Sequence, residues 1–418
     1  MSVRYRARWV LPIVSPPLED GWVTIDAGRI VSTGRGTVTD GVWTVDLGET
    51  AILPGLVNAH THLELSYLRD AVLPSAAFVE WIGGIMAARR ARPDPESAEI
   101  VQAVDRGIEE ALACGTALVG DISNTLVTFD PLARSALGAR VFYELIKFNP
   151  EDADALVGEA VRQLATLSPT DTVRPSLAAH APYSVAPAVL RAVRRAVDAG
   201  ERSAATPFSI HLAESAEEVE FIARGTGGWR SLLERIGAWD PGWQPAGGSP
   251  VEYVDACGFL DRRLVAVHGV QMSEADLALL ARRGVTLVTC PRSNRHTGAG
   301  VPPIEAFYRS GVAVAVGTDS LASAPDLNLF GELENMRALA PSVGAAALLA
   351  SATMVGARAL GFGDDFGSIE SGRRDRLIAV SMPWAAGSPA SAVDVEEYLV
   401  SGVRPDAVQW VTDGGPVG

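Results

Sequence analysis

Among the six histidines of this chain, His60 and His62 stand two residues apart at the end of an apolar run, Ile52-Leu53-Pro54-Gly55-Leu56-Val57-Asn58-Ala59. Read as a strand, the run points alternate side chains to one side, so the two imidazoles project together. Two imidazoles side by side can hold one divalent metal ion. Two unrelated polar residues at a strand exit would leave the same local trace, so the pair gains meaning from its company. His60, His62, His180, His211 and His268 all close apolar segments, and Gly317-Thr318-Asp319-Ser320 ends another with a carboxylate. His60, His62, His211 and Asp319 thus form a set of three nitrogens and one oxygen. Such a set suits one zinc ion, with ferrous iron as the alternative, and leaves room for water. Asp319 read alone would serve equally as a helix N-cap.

Glu214 follows His211 by three residues, where the strand gives way to Ser215 and a helix. A carboxyl there reaches a substrate held against the metal and can shuttle protons, although a first-turn Glu is also favoured by the helix dipole. His268, followed by Gly269, is placed to orient the attacking hydroxide, or else is a buried neutral histidine bonded to a carbonyl.

Eight apolar segments supply the strands that must carry these groups: 51–62, 116–122, 140–148, 174–180, 208–211, 264–268, 285–290 and 312–317. Amphipathic stretches such as 99–113, 155–167, 187–199, 216–224 and 274–283 lie between them. Eight βα units with near-continuous apolar strands predict a parallel barrel, whose catalytic groups sit at the C-terminal strand ends. An open doubly wound sheet is the fallback. Short strands at 8–14, 21–25, 29–32 and 42–46 precede the barrel, and others at 367–369, 375–380 and 408–412 follow it. These predict a small β-sandwich domain formed by both termini, residues 1–51 and 363–418, around a barrel of residues 52–362. The segment 78–90, with Trp81, reads as a lid or wall over the first strand, or as a plain packing helix.

A net charge of −15 argues against nucleic acid as a partner. No run approaches the roughly 20 apolar residues of a membrane span. The apolar run near the N-terminus meets Pro16-Pro17 and reads as a strand, not a signal segment. Cys114, Cys257 and Cys290 are odd in number and far apart, which fits buried thiols in a reducing cytoplasm.

The pieces 53–62, His180-Ala181-Pro182-Tyr183-Ser184, His211-Leu212-Ala213-Glu214, His268-Gly269, Pro291-Arg292-Ser293-Asn294 and 317–320 come in a recognisable order. In this the chain resembles the amidohydrolase superfamily, in the branch of cytosine, guanine and adenosine-type deaminases and triazine hydrolases. The resemblance implies a distorted (β/α)8 TIM-like barrel and one catalytic metal on His60, His62, His211 and Asp319. It further implies hydrolytic deamination of a small molecule, with Glu214, His268 and Asp319 as catalytic groups, and often a homodimer or larger homo-oligomer. Binuclear members bridge two metals with a carboxylated lysine on the fourth strand. Here the lone Lys147 closes the third, and His180 ends the fourth, so a mononuclear site is expected.

Residues 60–66, Phe78-x-x-Trp81-Ile82, Gly120-Asp121-Ile122-Ser123-Asn124 and Cys290-Pro291-Arg292-Ser293-Asn294 look most like the aminodeoxyfutalosine deaminases of the futalosine route to menaquinone. Their substrate is an adenine nucleoside with a benzoate-containing arm. By resemblance to adenosine-type members, His180 contacts the nucleoside. Where those members often carry a ribose-binding Glu, this chain has Ala87-Ala88-Arg89-Arg90. Arg89, Arg90 or Arg292 would pair with a substrate carboxylate, unless 87–90 is a solvated basic helix end. Glu64 and Asn124 are further candidate contacts. Alternative substrates are adenosine, S-adenosylhomocysteine, methylthioadenosine, guanine or a triazine. A non-catalytic scaffold of the same fold is the remote alternative, and the complete donor set speaks against it.

Overall fold

A computed structural model describes residues 2–200, 205–384 and 390–412. The end of the expected C-terminal portion, 413–418, lies outside the described residues. The chain opens with β1 (Val3–Val10), β2 (Leu18–Asp26), β3 (Arg29–Arg35), β4 (Trp43–Asp46) and β5 (Thr50–Pro54). Eight strands follow: β6 (Leu56–Thr61), β7 (Thr116–Ser123), β8 (Gly138–Leu145), β9 (Val173–Ala179), β10 (Phe208–Leu212), β11 (Leu264–His268), β12 (Thr286–Thr289) and β13 (Ala313–Val316). The chain closes with β14 (Leu377–Ser381) and β15 (Val408–Trp410).

Strands β6 to β13 pair in sequence order as one parallel sheet, because each is apolar on both faces and is followed by a covering helix. Val57, Ala59, Phe142, Val265, Val267 and Val288 share one buried cluster with Leu360 and Phe366. Alternate positions such as Leu177, Ile210 and Leu287 pack outward against the helices, beside Phe221 and Phe307. The sheet curls into a barrel whose first and last strands meet. Gly317 marks that meeting: a Cβ there would stand 2.6 Å from the His60 carbonyl oxygen, too close for any other residue.

The terminal strands form one seven-stranded mixed sheet in the order β15-β14-β5-β1-β2-β3, with β4 also paired to β1. The run 51–62, expected as a single strand, is two. β5 pairs with β1 and β14, whereas β6 pairs with β7. The switch falls at Gly55, whose N–H bonds to the Arg376 carbonyl while Leu56 N–H bonds to Gly115. A Cβ on Gly55 would lie 2.6 Å from that of Ala117, so the crossing needs glycine. Residues 367–369, expected as a strand, form a bend instead. Ile369 still joins the terminal core with Tyr5 and Val10, held by a bond from its N–H to the Pro12 carbonyl.

Candidate active site and metal centre

His60 lies within β6 and His62 just past its end, and strand alternation turns both rings inward. Their ring centroids are 4.9 Å apart. His211 comes from β10, His268 from the end of β11, and Asp319 from three residues past β13. His268 and Asp319 both hold left-handed backbone, with φ of 80° and 62°, and Ala213 beside Glu214 does so at 52°. Non-glycine residues adopt this region at a cost, and such strain gathers at functional sites. At Asp319 it is held by a bond from its own N–H to the His60 carbonyl at 3.1 Å.

The donors converge. His211 Nε2 lies 3.3 Å from His62 Nε2, and Asp319 Oδ1 lies 3.5 Å from His62 Nε2 and 3.8 Å from His60 Nε2. His60 Nε2 is buried with no hydrogen-bond partner among the described residues. Burial holds His60 well below the ordinary histidine range, with His62 and His211 adding to the effect. His62 is pushed down to about 3, chiefly by burial. The rings are therefore neutral and offer lone pairs. His211 Nδ1–H donates to the His180 carbonyl at 2.8 Å, which fixes the tautomer and leaves Nε2 facing the cluster. An orphaned buried nitrogen, two facing ring nitrogens and one carboxylate oxygen fit a single divalent cation.

The catalytic candidates surround this cluster. Asp319 Oδ2 accepts from Ser293 Oγ at 2.6 Å, and Oδ1 from Ser320 N–H at 2.7 Å. Burial pushes the Asp319 carboxyl up, but His62, His268 and Ser293 outweigh it and leave its pKa below the usual range. Asn294 Nδ2 donates to His268 Nδ1 at 2.9 Å, so His268 Nε2 faces Glu214 Oε1 at 3.5 Å. Burial, with Asp319 and Glu218 nearby, raises the Glu214 carboxyl well above its ordinary range. Glu218 fixes the Glu214 loop by accepting the Ala213 and Glu214 N–H groups at 2.9 and 2.8 Å.

These groups open into one shared cleft with a cavity volume of about 90 Å³. The helix Phe78–Arg90 forms one wall through Phe78, Trp81, Ile85 and Arg89. His180 lines the cleft with Nδ1 2.5 Å from Ser184 Oγ. Arg89 and Asn124 line it as well. Arg89 donates to Glu64 at 3.0 Å and to Asn124 Oδ1 at 2.7 Å.

Three other candidates lie elsewhere. Glu64 is buried behind the wall, where one oxygen accepts from Ser123 Oγ, Asn124 N–H and both Thr125 donors. Arg90 borders a neighbouring cleft with Tyr143 and Leu156. Arg292, expected near a substrate carboxylate, is instead held by Glu332 at 2.7 Å and Asp326 at 2.8 Å. Lys147 is exposed past β8. Glu144 and Tyr183 also line the cleft, and these two, with the bracing Glu218, were not among the sequence expectations. The available signal for Glu144 was a lone carboxylate in the apolar strand 138–145.

An eight-stranded parallel barrel with a histidine–carboxylate set at its C-terminal rim defines a class, the amidohydrolase-type hydrolases of carbon–nitrogen bonds. The chain belongs to the amidohydrolase family, whose model matches residues 51–399. It is 30% identical over 380 residues to a 5-methylthioadenosine/S-adenosylhomocysteine deaminase of Nitratidesulfovibrio vulgaris, covering 87% of this chain and 80% of that one. It is 33% identical over 323 residues to the aminodeoxyfutalosine deaminase of Deinococcus radiodurans, covering 74% and 73%. The structure of an adenosine deaminase from Xanthomonas campestris with bound zinc superposes with a TM-score of 0.81. That pair is 29% identical and covers 97% of this chain and 90% of the other. Among the described residues no helix is long and apolar enough to cross a membrane.

Proposed function

We propose that the protein is a metal-dependent hydrolytic deaminase of an aminopurine nucleoside, with 6-amino-6-deoxyfutalosine as substrate. The observation that carries deamination is Glu214, a buried carboxyl raised in pKa, opening on the same cleft as Asp319 and His268. Two carboxyls driven apart in pKa divide the roles of acid and base. His60, His62, His211 and Asp319 would hold the metal, zinc in preference to iron. Bound there, it supplies Lewis acidity that ionises water near neutral pH. Asp319 takes a proton from the attacking water, its other oxygen being fixed by Ser293. His268, braced by Asn294, holds the nucleophile in line. Glu214 protonates the ring nitrogen beside the attacked carbon and, with Asp319, delivers the proton with which ammonia leaves.

The finer assignment is supported by Arg89, whose guanidinium sits in the cleft wall on Glu64 and Asn124. That placement suits the benzoate of an aminodeoxyfutalosine arm. S-adenosylhomocysteine also carries a carboxylate, and the methylthioadenosine/S-adenosylhomocysteine relative covers more of this chain, so that pair is the second reading. All three cysteines are buried and unpaired, which supports a cytoplasmic setting. Ammonia release by zinc-loaded protein tests the assignment on aminodeoxyfutalosine, adenosine, S-adenosylhomocysteine, methylthioadenosine and guanine. Preference for the first is expected. Preference for another keeps the deaminase and discards the menaquinone assignment, and silence on all five removes the purine.

A further inference from the structure

Arg292 and Glu332 form an ion pair that the catalytic assignment leaves without a task. Their side chains are 12% and 0% exposed. A buried pair gives up the hydration of both charges, so stability alone is a weak reason for one. The bonds point to another. Arg292 lies at the start of the short helix Pro291–His296, whose N-cap Cys290 supplies no side-chain acceptor. Pro291 has no N–H, so the Arg292 N–H is the first orphan donor of this helix. Glu332 Oε2 accepts it at 3.2 Å, and Oε1 accepts Arg292 Nε at 2.7 Å. The outer guanidinium donates through Nη1 to Asp326 Oδ1 at 2.8 Å. Through Nη2 it donates to the Asp326 and Asn328 carbonyls at 3.2 and 3.0 Å. Gly331 leaves the room for this, since a Cβ there would stand 2.8 Å from Nη1. One residue is thus fastened, at its backbone and along its side chain, to the segment 326–332.

The next two residues of the short helix reach the reacting centre. Ser293 Oγ donates to Asp319 Oδ2, and Asn294 Nδ2 donates to His268 Nδ1. Ser293 Oγ also meets Ser323 Oγ at 2.8 Å, within the loop that leads from Asp319 to the helix Leu329–Leu339. The two partners of the Ser293–Asp319 bond therefore sit on separate rim segments, one following β12 and one following β13. Arg292 and Glu332 join those segments on the side away from the cleft, which neither of them lines. We propose that Arg292 and Glu332 are positioning residues, which fasten helix 291–296 to segment 319–332 and so set Ser293 on Asp319 and Asn294 on His268. This rests on the reading of Asp319 as a metal ligand and proton acceptor. Catalytic groups need such outer support because small displacements cost much of the rate.

The test is a double-mutant cycle of Ser293→Ala and Glu332→Gln, read first in zinc affinity by competition with a chromophoric chelator, which needs no substrate. Glu332→Gln should weaken zinc binding about 10-fold by loosening the Ser293–Asp319 bond. Once Ser293 is alanine, it should add less than about twofold. On the preferred aminopurine nucleoside, kcat should fall while KM stays within about threefold. Removing one partner of a buried pair can unfold the chain, so the pair is also replaced whole, Arg292→Met with Glu332→Leu, which keeps the volume filled. That variant should melt near the parent yet show the same loss in zinc affinity and kcat. Full zinc affinity in the apolar variant, losses that multiply through the cycle, or a change confined to KM overturns the inference and makes the pair a brace of the fold alone. Silence of the unaltered protein on every aminopurine removes the deaminase reading, while the zinc cycle still decides the clamp.

Discussion

Asn58 and Thr318 are bonded in both directions across the seam of the barrel. Asn58 Oδ1 accepts the Thr318 N–H at 3.0 Å, and its Nδ2 donates to Thr318 Oγ1 at 2.7 Å. With the bond from the Asp319 N–H to the His60 carbonyl, this side chain holds the seam where β13 meets β6. The same seam carries His60, two residues past Asn58, and Asp319, the residue after Thr318. Asn58 and Thr318 are fully buried.

Asn58→Ala should cost about 1–3 kcal/mol, because it strands the buried Thr318 N–H, and it should weaken metal binding with it. Urea midpoints and zinc stoichiometry check this. Unchanged values in both would show that the seam closes without the carboxamide.

Chelation should abolish turnover, zinc should restore it, and loaded protein should melt higher than stripped protein. His60→Ala should lose the metal, whereas His180→Ala should keep it and raise KM. His180, His211 and Glu144 also place ligand atoms within 4.8 Å of one another. Loss of zinc from His180→Ala would therefore move His180 into the metal shell.

Glu214→Gln should retain metal and lose about 100- to 10,000-fold in kcat. The pH dependence has a definite sign. An acid works protonated, and burial with Asp319 and Glu218 raises the pKa of Glu214. Activity should therefore persist at low and neutral pH and fall as pH rises through that raised value. Glu218→Gln removes one negative neighbour, so its falling limb should move to lower pH. A limb that stays in place would free Glu214 from this role.

Ser293→Ala removes the donor to Asp319 Oδ2, and about 10- to 100-fold should be lost in zinc affinity or kcat. Competition with a chromophoric chelator and steady-state kinetics separate the two. No change in either would make the bond incidental.

Arg89→Lys keeps the charge but loses the fork that spans Glu64, Asn124 and an incoming carboxylate. KM should rise for carboxylate-bearing nucleosides and much less for adenosine. An equal rise for both would assign Arg89 to bracing the wall.

Much of this protein was legible locally. Strand alternation is a two-residue rule, so His60-x-His62 announced its own geometry, and five histidines at strand ends announced a rim. Eight apolar segments with helices between them announced the barrel, since parallel strands are buried on both faces. What the sequence left open depended on partners far along the chain. Gly55 divides one apolar run between two sheets because Arg376 and Gly115 claim its two sides. Arg89, Arg90 and Arg292 are equal cations on paper. The fold separates them by where it places carboxylates, tying Arg292 to Glu332 and setting Arg89 in the cleft wall on Glu64. Glu64 itself turned from candidate ligand contact to brace when four donors from 123–125 met it. Periodicity fixes the side of a strand on which a side chain stands. A long polar side chain then goes to whichever buried partner the tertiary structure leaves unsatisfied, and only the folded chain decides which that is.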